Sequence, residues 1–121
     1  MPSKAQITGS LGEDAAVIYL KNKQFIILDR NYRIRNAEID IIAKDKDTIA
    51  FIEVKTRKSL MRGLPAEAVN YTKQKKIIFA ALYYIRENNL DNMRLRFDVV
   101  EVYEKDTAYK FNLIRNAFQV S

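Results

Sequence analysis

The chain has 121 residues, and its formal net charge of +6 favours an anionic partner, of which nucleic acid is the first candidate. It contains no Cys and no His, which excludes disulfides, thiolate zinc sites, the Ser-His-Asp triad and every His-ligated metal. Any bound metal must therefore be a hard cation held by oxygen ligands, such as Mg²⁺, Mn²⁺ or Ca²⁺.

The length fits one compact domain over residues 1–121, in which we expect the first six residues to be frayed. No apolar run approaches the ~20 residues of a membrane span. The N-terminus, which begins Met1-Pro-Ser-Lys, also lacks the apolar stretch of a signal peptide. We therefore expect a protein that stays in the cytoplasm and has no membrane partner.

The first predicted element is a helix over residues 11–20, where apolar side chains recur at helical spacing. Two interpretations of Glu13 within it stay open. Ser10 is a good N-cap and Glu13 lies three residues later, which matches a capping box. A helix that precedes an acidic sheet can instead add a carboxylate to a metal site, so Glu13 is also a candidate metal ligand.

Five strands and a second helix follow, and their apolar patterns distinguish the strands from the helix. Three sequential strands suggest an antiparallel meander, and the helix after the third permits a crossover to a parallel fourth strand. The expected fold class is α/β, a mixed sheet of about five strands with flanking helices in the order α-β-β-β-α-β-β. The predicted ranges are 25–34, 38–42 and 51–55 for the first three strands, 65–87 for the second helix, and 95–102 and 109–114 for the last two strands.

The hairpin of the second and third strands carries the most informative charges. If the hairpin closes on Lys46-Asp47, Asp40 lies opposite Glu53, because strand partners in one antiparallel register have residue numbers with the same sum. Lys55 lies two residues after Glu53 and therefore shares its face. Cross-strand carboxylates with Cβ atoms about 5 Å apart repel each other unless a positive charge lies between them. Lys55 and a bound divalent cation are the two candidates for that charge.

An Asp followed by Glu-x-Lys on paired strands is suited to metal-assisted cleavage of phosphodiesters. Asp40 and Glu53 would hold the metal, and the Val54 carbonyl is a further candidate ligand. Lys55 would orient the attacking water or stabilise the phosphoryl charge, which completes a candidate catalytic set of Asp40, Glu53 and Lys55. The alternative is a plain ion pair between Asp40 and Lys55 with a solvated Glu53. The apolar flanks favour the site, because charges on central strands are costly without a purpose.

Basic residues around this hairpin are candidates for binding phosphates, which would make affinity depend on salt. For Lys75 and Lys76 a solvated helix face is an equally good explanation. Tyr71, Tyr83 and Tyr84 are able to stack on bases but are more often core or rim residues. The candidate nucleic-acid contacts are Arg57, Lys58 and Arg62 after the third strand, and Lys73 and Gln74 near the start of the second helix.

The chain carries the motifs Gly12-Glu13-x-x-Ala16, Asn31-Tyr-Arg33, Glu38-Ile-Asp40, Phe51-Ile-Glu53-Val-Lys55-Thr-Arg57, Lys73 and Arg96-Phe-Asp98-Val-Val. These motifs cover nearly the whole chain and resemble a small bacterial family of uncharacterised endonuclease-like proteins. That family is similar to the archaeal Holliday junction resolvases, within the PD-(D/E)xK restriction-endonuclease superfamily. One departure is that Ala37 stands where the family usually has Gly before the Glu-Ile-Asp run.

The resemblance implies a restriction-endonuclease-like fold and a catalytic centre at Asp40, Glu53 and Lys55, with Glu13 contributed by the first helix. We therefore expect an endonuclease that needs Mg²⁺ or Mn²⁺ and acts on DNA, and the resolvase analogy implies a homodimer on branched or otherwise structured DNA. Two alternatives remain: a non-catalytic nucleic-acid-binding module of the same fold, and a protein-interaction module with a basic face. Fold-level analogy does not decide between them.

Overall fold

The chain is represented by a computed structural model that describes residues 4–57, 69–105 and 108–120. Within these residues, two helices and five strands follow the predicted order α-β-β-β-α-β-β, which confirms the α/β fold class. The elements are α1 (Lys4–Asn22), β1 (Ile26–Ile34), β2 (Ala37–Asp45), β3 (Thr48–Arg57), α2 (Tyr71–Glu87), β4 (Arg94–Lys105) and β5 (Ala108–Phe118).

The five strands form one mixed sheet in the order β1-β2-β3-β4-β5, so β3 is central. Strands β3 and β4 are parallel, and the other neighbouring pairs are antiparallel. Helix α2 lies between β3 and β4 in the chain, as a parallel connection requires. The predicted crossover is therefore confirmed.

The two helices cover opposite faces of the sheet, and each face has its own apolar core. The core under α2 includes Phe51, Ile77 and Phe97, and the core under α1 includes Leu20 and Ile52. Because both faces are buried, the central strands read as nearly continuous apolar runs. Neither helix in the described ranges is long and apolar enough to cross a membrane.

Helix α1 begins earlier than the sequence predicted. It starts at Lys4 rather than Leu11, so Ser10 lies inside the helix and is not its N-cap. The capping-box interpretation of Glu13 is therefore wrong. Gly12 lets α1 approach β3 closely, because a Cβ added there would lie 2.5 Å from the Thr56 Oγ1. The absence of a side chain at Gly12 thus sets the distance between Glu13 and the sheet.

Helix α2 begins at Tyr71, whereas the sequence predicted a start near Pro65, which lies outside the described residues. Asn70 is the N-cap, and its Oδ1 accepts a hydrogen bond of 2.9 Å from the Lys73 backbone N–H. This bond fixes the first helical turn, because it satisfies one of the N–H groups that have no partner within the helix. The helix ends at Glu87 with Asn88 as C-cap, as predicted.

Candidate functional site

The β2–β3 hairpin has the predicted register but ends before the acidic pair. Asp45 pairs with Thr48 around the turn, and the ladder continues to Ile41 and Ile52. Asp40 and Glu53 would form the next pair in this register, yet the backbone pairing stops at Ile41 and Ile52. The two carboxylates therefore lie where the strands begin to separate.

Strand β2 bends at Asp40. Ile39 packs in the core under α2, whereas Ile41, two residues later, packs in the core under α1. A regular strand would place both on one face. The Asp40 Oδ2 accepts a 2.8 Å hydrogen bond from the Val54 backbone N–H, which would otherwise pair with a backbone carbonyl of β2. The bend thus turns the Asp40 carboxylate towards β3.

Glu53 is buried beside Asp40, with only 4% of its surface exposed. The Lys73 Nζ lies 2.6 Å from the Glu53 Oε2, which makes an ion pair by distance. The angles of this contact fall outside hydrogen-bond geometry, so among the described residues Oε2 has no aligned donor. Burial, and then the hydrogen bond and charge of Glu53, raise the pKa of Asp40 to about 7. Two carboxylates therefore share one poorly hydrated position.

Two lysines face this pair from different elements, Lys55 from β3 and Lys73 from α2. Burial lowers the pKa of Lys55, and the neighbouring Lys73 lowers it further. Burial also acts to lower the pKa of Lys73, but its contact with Glu53 outweighs burial and the net pKa is raised. The structure thus brings four side chains together in one cluster, which we call the acidic cluster: Asp40, Glu53, Lys55 and Lys73.

A cavity of about 380 Å³ opens onto this cluster. The first turn of α2 forms one wall, and its unpaired backbone N–H groups give that end of the helix a partial positive charge. The helix end therefore places partial positive charge in the cavity, beside the two carboxylates of Asp40 and Glu53. Its lining residues are Asn36, Ala37, Glu38, Asp40, Glu53, Asn70, Thr72, Lys73, Lys76 and Ile77.

Glu13 lies near this cluster but has another partner. Its carboxylate is 3.3 Å from the Arg30 guanidinium, which also pairs with Asp14 at 2.7 Å. Burial, and then the charge of Asp40, raise the pKa of Glu13. Within residues 4–57, 69–105 and 108–120, no three acidic side chains are grouped closely enough to hold a metal ion. Glu13 therefore does not complete a three-carboxylate set in this structure.

The predicted phosphate contacts divide into three groups. The Arg57 Nε donates a 2.9 Å hydrogen bond to the buried Glu101, and the Gln74 side chain donates to the Val69 carbonyl at 2.9 Å. Lys73 pairs with Glu53, as described above. Lys58 and Arg62 lie outside the described residues. Arg57 and Gln74 are therefore already engaged within the protein.

The plain ion pair that we considered for the hairpin does not form. Asp40 and Lys55 make no salt bridge in the described part of the chain, and Glu53 is buried rather than solvated. The structure instead pairs Glu53 with a lysine from α2. Sequence reasoning did not find the bend at Asp40 or the role of Asn70, although an Asn before an apolar-periodic run is a helix-start signal.

The residues present fit a divalent cation that is shared with a phosphate. Mg²⁺ is usually held by one or two carboxylates, with waters and substrate phosphates in the remaining positions. Asp40 and Glu53 supply two carboxylates, and the Glu53 Oε2 lacks an aligned donor among the described residues. A strand residue directs its N–H and C=O to the same neighbour, so the Val54 carbonyl also points to the side of Asp40.

Comparisons with known proteins identify the family. The profile of the uncharacterised protein family UPF0102 matches residues 12–102. A UPF0102 protein of Desulforapulum autotrophicum is 51% identical over 119 residues, which cover 98% of each chain. One of Clostridium acetobutylicum is 51% identical over 114 residues, 93% of each chain. One of Alkaliphilus oremlandii is 53% identical over 112 residues, 91% of this chain and 96% of the relative. The chain therefore belongs to the uncharacterised protein family UPF0102.

Proposed function

We propose that this protein is a metal-dependent endonuclease that hydrolyses phosphodiester bonds in DNA. The observation that carries the proposal is a cavity lined by Asp40, Glu53 and Lys73, with Lys55 beside them and a buried Glu53 oxygen that lacks an aligned donor among the described residues. Carboxylates and cations so arranged can hold a metal and receive a phosphate. The resemblance to PD-(D/E)xK nucleases supports the same assignment.

Asp40, Glu53 and the Val54 carbonyl would hold Mg²⁺ or Mn²⁺. The bound cation would supply activation of water and stabilisation of the charge that develops on the phosphoryl group. The raised pKa of Asp40 means that this carboxyl keeps a proton up to about pH 7. Binding of a cation there must release that proton, because a metal ligand must be deprotonated. Activity should therefore increase as the pH rises through 7.

The two lysines have different tasks in this proposal. Lys55 is half-buried and has a lowered pKa, so it is suited to contact the attacking water or the phosphoryl oxygens. Lys73 keeps Glu53 neutralised in the protein alone, at 2.6 Å from its carboxylate. Because Lys73 also lines the cavity, it is available to a phosphate that enters. Branched or structured DNA is the substrate that the resemblance to resolvases supports, with a homodimer as the active form.

A specific observation favours a second candidate, a nucleic-acid-binding module without cleavage. The described residues contain no group of three carboxylates, and Lys73 already neutralises Glu53. Such a module would bind DNA through the same cavity and lack turnover. A module that docks an acidic protein through its basic face is the remaining alternative, and it would bind no nucleic acid even at low salt.

A cleavage assay on labelled four-way, flap, duplex and single-stranded DNA, with Mg²⁺ and with Mn²⁺, tests the proposal. We expect wild type to cut at least one of these structures and to need the metal. If wild type binds these substrates well and cuts none with either metal, the non-catalytic module takes its place. If it binds none of them at any salt concentration, the protein-interaction module is favoured.

Calorimetry with Mn²⁺ tests the ligands without relying on activity. We expect weak heats for wild type, because substrate phosphates complete the coordination shell. Asp40→Asn should abolish these heats. Glu38→Gln is the matched control, because Glu38 lines the same cavity but pairs with Arg33 at 3.4 Å. Equal heats for wild type and Asp40→Asn would remove Asp40 as a ligand.

A further inference from the structure

A groove extends from the acidic cluster along α2. The cavity beside Asp40 and Glu53 shares Ala37 and Lys76 with a second cavity of about 260 Å³. That cavity shares Arg35 and Phe79 with a third of about 460 Å³. The three cavities adjoin and lie between α2 and the β1–β2 hairpin. We call this continuous surface the α2 groove.

Two aromatic rings face water along the α2 groove. Phe79 is 64% exposed and Tyr83 is 49% exposed, and both line the third cavity. Residues four apart are neighbours on one helix face, so the two rings follow one another along the groove. Phe79 and Tyr83 lie about 9 Å and 15 Å along the helix axis from Lys73, which contacts Glu53. The groove therefore presents flat apolar surfaces at increasing distances from the candidate catalytic centre.

The α2 groove is also positively charged. Beyond the acidic cluster, four basic side chains line it, Arg33, Arg35, Lys75 and Lys76, against two acids, Glu38 and Glu87. Its two acids beyond the acidic cluster have partners, since Glu38 pairs with Arg33 at 3.4 Å and Glu87 accepts a 2.9 Å hydrogen bond from the Tyr32 hydroxyl. Arg35 makes no ion pair with any described residue. Cations beside exposed rings are the combination that proteins use for single strands.

We propose that the α2 groove binds a single-stranded stretch of nucleic acid beside the bond that is cleaved. Bases stack on Phe79 and Tyr83, and phosphates pair with Arg35 and Lys76. Every base has a flat face, so this binding tolerates any sequence. The position next to a cleaved bond rests on the proposed function, whereas binding of the single strand does not.

Two other occupants fit the α2 groove less well. In a duplex the base faces are covered by their neighbours, so the rings of Phe79 and Tyr83 would have nothing to stack on. A second copy of the chain, related by two-fold symmetry, would bring the basic side chains of both grooves together. Like charges at such an interface repel each other. A single-stranded polyanion complements both the charge and the rings.

Fluorescence anisotropy in EDTA, with a labelled oligothymidylate and a blunt duplex as probes, measures this binding without cleavage. We expect Phe79→Ala and Tyr83→Ala each to weaken binding of the single strand by about 10-fold. Binding of the blunt duplex should not change. Phe79→Tyr should keep the wild-type affinity, because it retains the ring. Since both side chains are exposed, the thermal stability of these variants should match that of wild type.

Leu82→Ala is the matched control, because Leu82 is 47% exposed on the same helix but lines none of the three cavities. It should bind both probes as wild type does. In a salt titration, Arg35→Gln and Lys76→Gln should each lower the slope of log K against log salt by about 0.7 for the single strand. Lys110→Gln, an exposed substitution on β5, should leave that slope unchanged.

Wild-type affinity of Phe79→Ala and Tyr83→Ala for oligothymidylate would overturn this inference. Equal losses for the single strand and the blunt duplex would also overturn it. If sedimentation shows a wild-type dimer that Phe79→Ala dissociates without loss of single-strand binding, the groove is a dimer interface and the inference is wrong. Ring-dependent binding in a protein that cuts nothing supports the groove and rejects the nuclease. If the protein cleaves DNA and the ring variants keep wild-type cleavage and wild-type single-strand binding, the nuclease is supported and the groove is rejected.

Discussion

Two clusters of buried charge in this protein differ in how well they are satisfied. On the α1 side of the sheet, Asp98 is 0% exposed and accepts hydrogen bonds from the Arg96 side chain at 2.8 and 2.9 Å and from the Asn116 backbone N–H at 2.9 Å. Arg96 also donates to Asp45 at 2.9 Å. Each oxygen of Asp98 therefore has an aligned donor.

The acidic cluster beneath α2 is the opposite case. The Glu53 Oε2 is buried without an aligned donor among the described residues, and the pKa of Asp40 is raised to about 7 by burial and by Glu53. A buried carboxylate oxygen without an aligned hydrogen-bond donor is unfavourable for folding, even beside a cation. The planar, multidentate guanidinium of Arg96 donates to both oxygens of Asp98, whereas the ammonium of Lys73, a point charge, leaves the Glu53 Oε2 without an aligned donor among the described residues. We infer that the first cluster serves stability and the second serves binding.

The largest expected effect is on the cleavage rate, which should depend on the acidic cluster and not on the cluster around Asp98. Glu53→Gln and Lys55→Ala should each lower the single-turnover cleavage rate by at least about 100-fold, because in the proposed function both side chains act on the phosphoryl group or its metal. Both variants should keep the wild-type DNA affinity in a gel shift. Removal of an interaction that is made only in the transition state lowers the turnover rate without weakening substrate binding.

Asp98→Asn is the control for that experiment and should cleave like wild type wherever it remains folded. If Glu53→Gln and Lys55→Ala cleave at the wild-type rate, any nuclease centre lies elsewhere. The two clusters would then not differ in their effect on activity. Loss of cleavage in Asp98→Asn, with folding intact, would mean that both clusters serve activity.

The free energy of unfolding should show the reverse order, with a larger loss from a substitution at Asp98 than from one at Asp40. Asp98→Ala leaves Arg96 without its main partner, and we expect a loss of about 3 kcal/mol in the free energy of unfolding. Asp40→Asn should cause no loss at pH 8, because it replaces an unfavourably buried charge with a neutral group. Urea denaturation of the metal-free proteins measures both. A larger loss for Asp40→Asn than for Asp98→Ala would contradict the division of roles.

The pH dependence of stability should follow from Asp40. Its pKa is raised from 3.8 to about 7, so between these values the folded state holds a proton that the unfolded state has released. The free energy of unfolding should therefore fall as the pH rises from about 4 to 7 and level off above 7. Of the charged groups that face this carboxyl, Glu53 raises its pKa and Lys73 lowers it, and Glu13 and Lys55 lie beside it.

Denaturation in EDTA across this pH range checks the dependence. Asp40→Asn should remove most of the decline between pH 4 and 7, and Asp98→Asn should leave the decline in place. An identical pH profile for wild type and Asp40→Asn would show that the Asp40 carboxyl is ionised normally in the folded protein.

The smallest expected effect concerns the position of α1. In Gly12→Ala the new Cβ would lie 2.5 Å from the Thr56 Oγ1, so either the Thr56 side chain or α1 must shift. The crowding outweighs the better helix propensity of Ala, and we expect a net loss of about 1 kcal/mol. Adding Thr56→Ala should recover that loss, because it removes the crowded atom. If a double-mutant cycle of Gly12→Ala and Thr56→Ala shows no coupling energy, the crowding between these two positions is refuted.

The sequence by itself determined the elements with strong local signals. The turn at Lys46-Asp47 predicted the hairpin register, because the register of a hairpin follows from where its turn closes and from the length of its loop. The helix between β3 and β4 predicted the parallel crossover, because two parallel strands need a long connection that is usually a helix. The end of α2 at Asn88 was also readable, whereas both helix starts were misplaced.

Only the tertiary structure decided how the candidate site is built. The bend at Asp40 depends on which core accepts Ile39 and which accepts Ile41, and no local pattern encodes that choice. Lys73 reaches Glu53 because α2 packs across β2 and β3, and Arg30 holds Glu13 because α1 packs on the opposite face. Residue spacing along the chain specifies neighbours within one element. Contacts between elements arise when their apolar faces are buried together, which is a property of the whole fold.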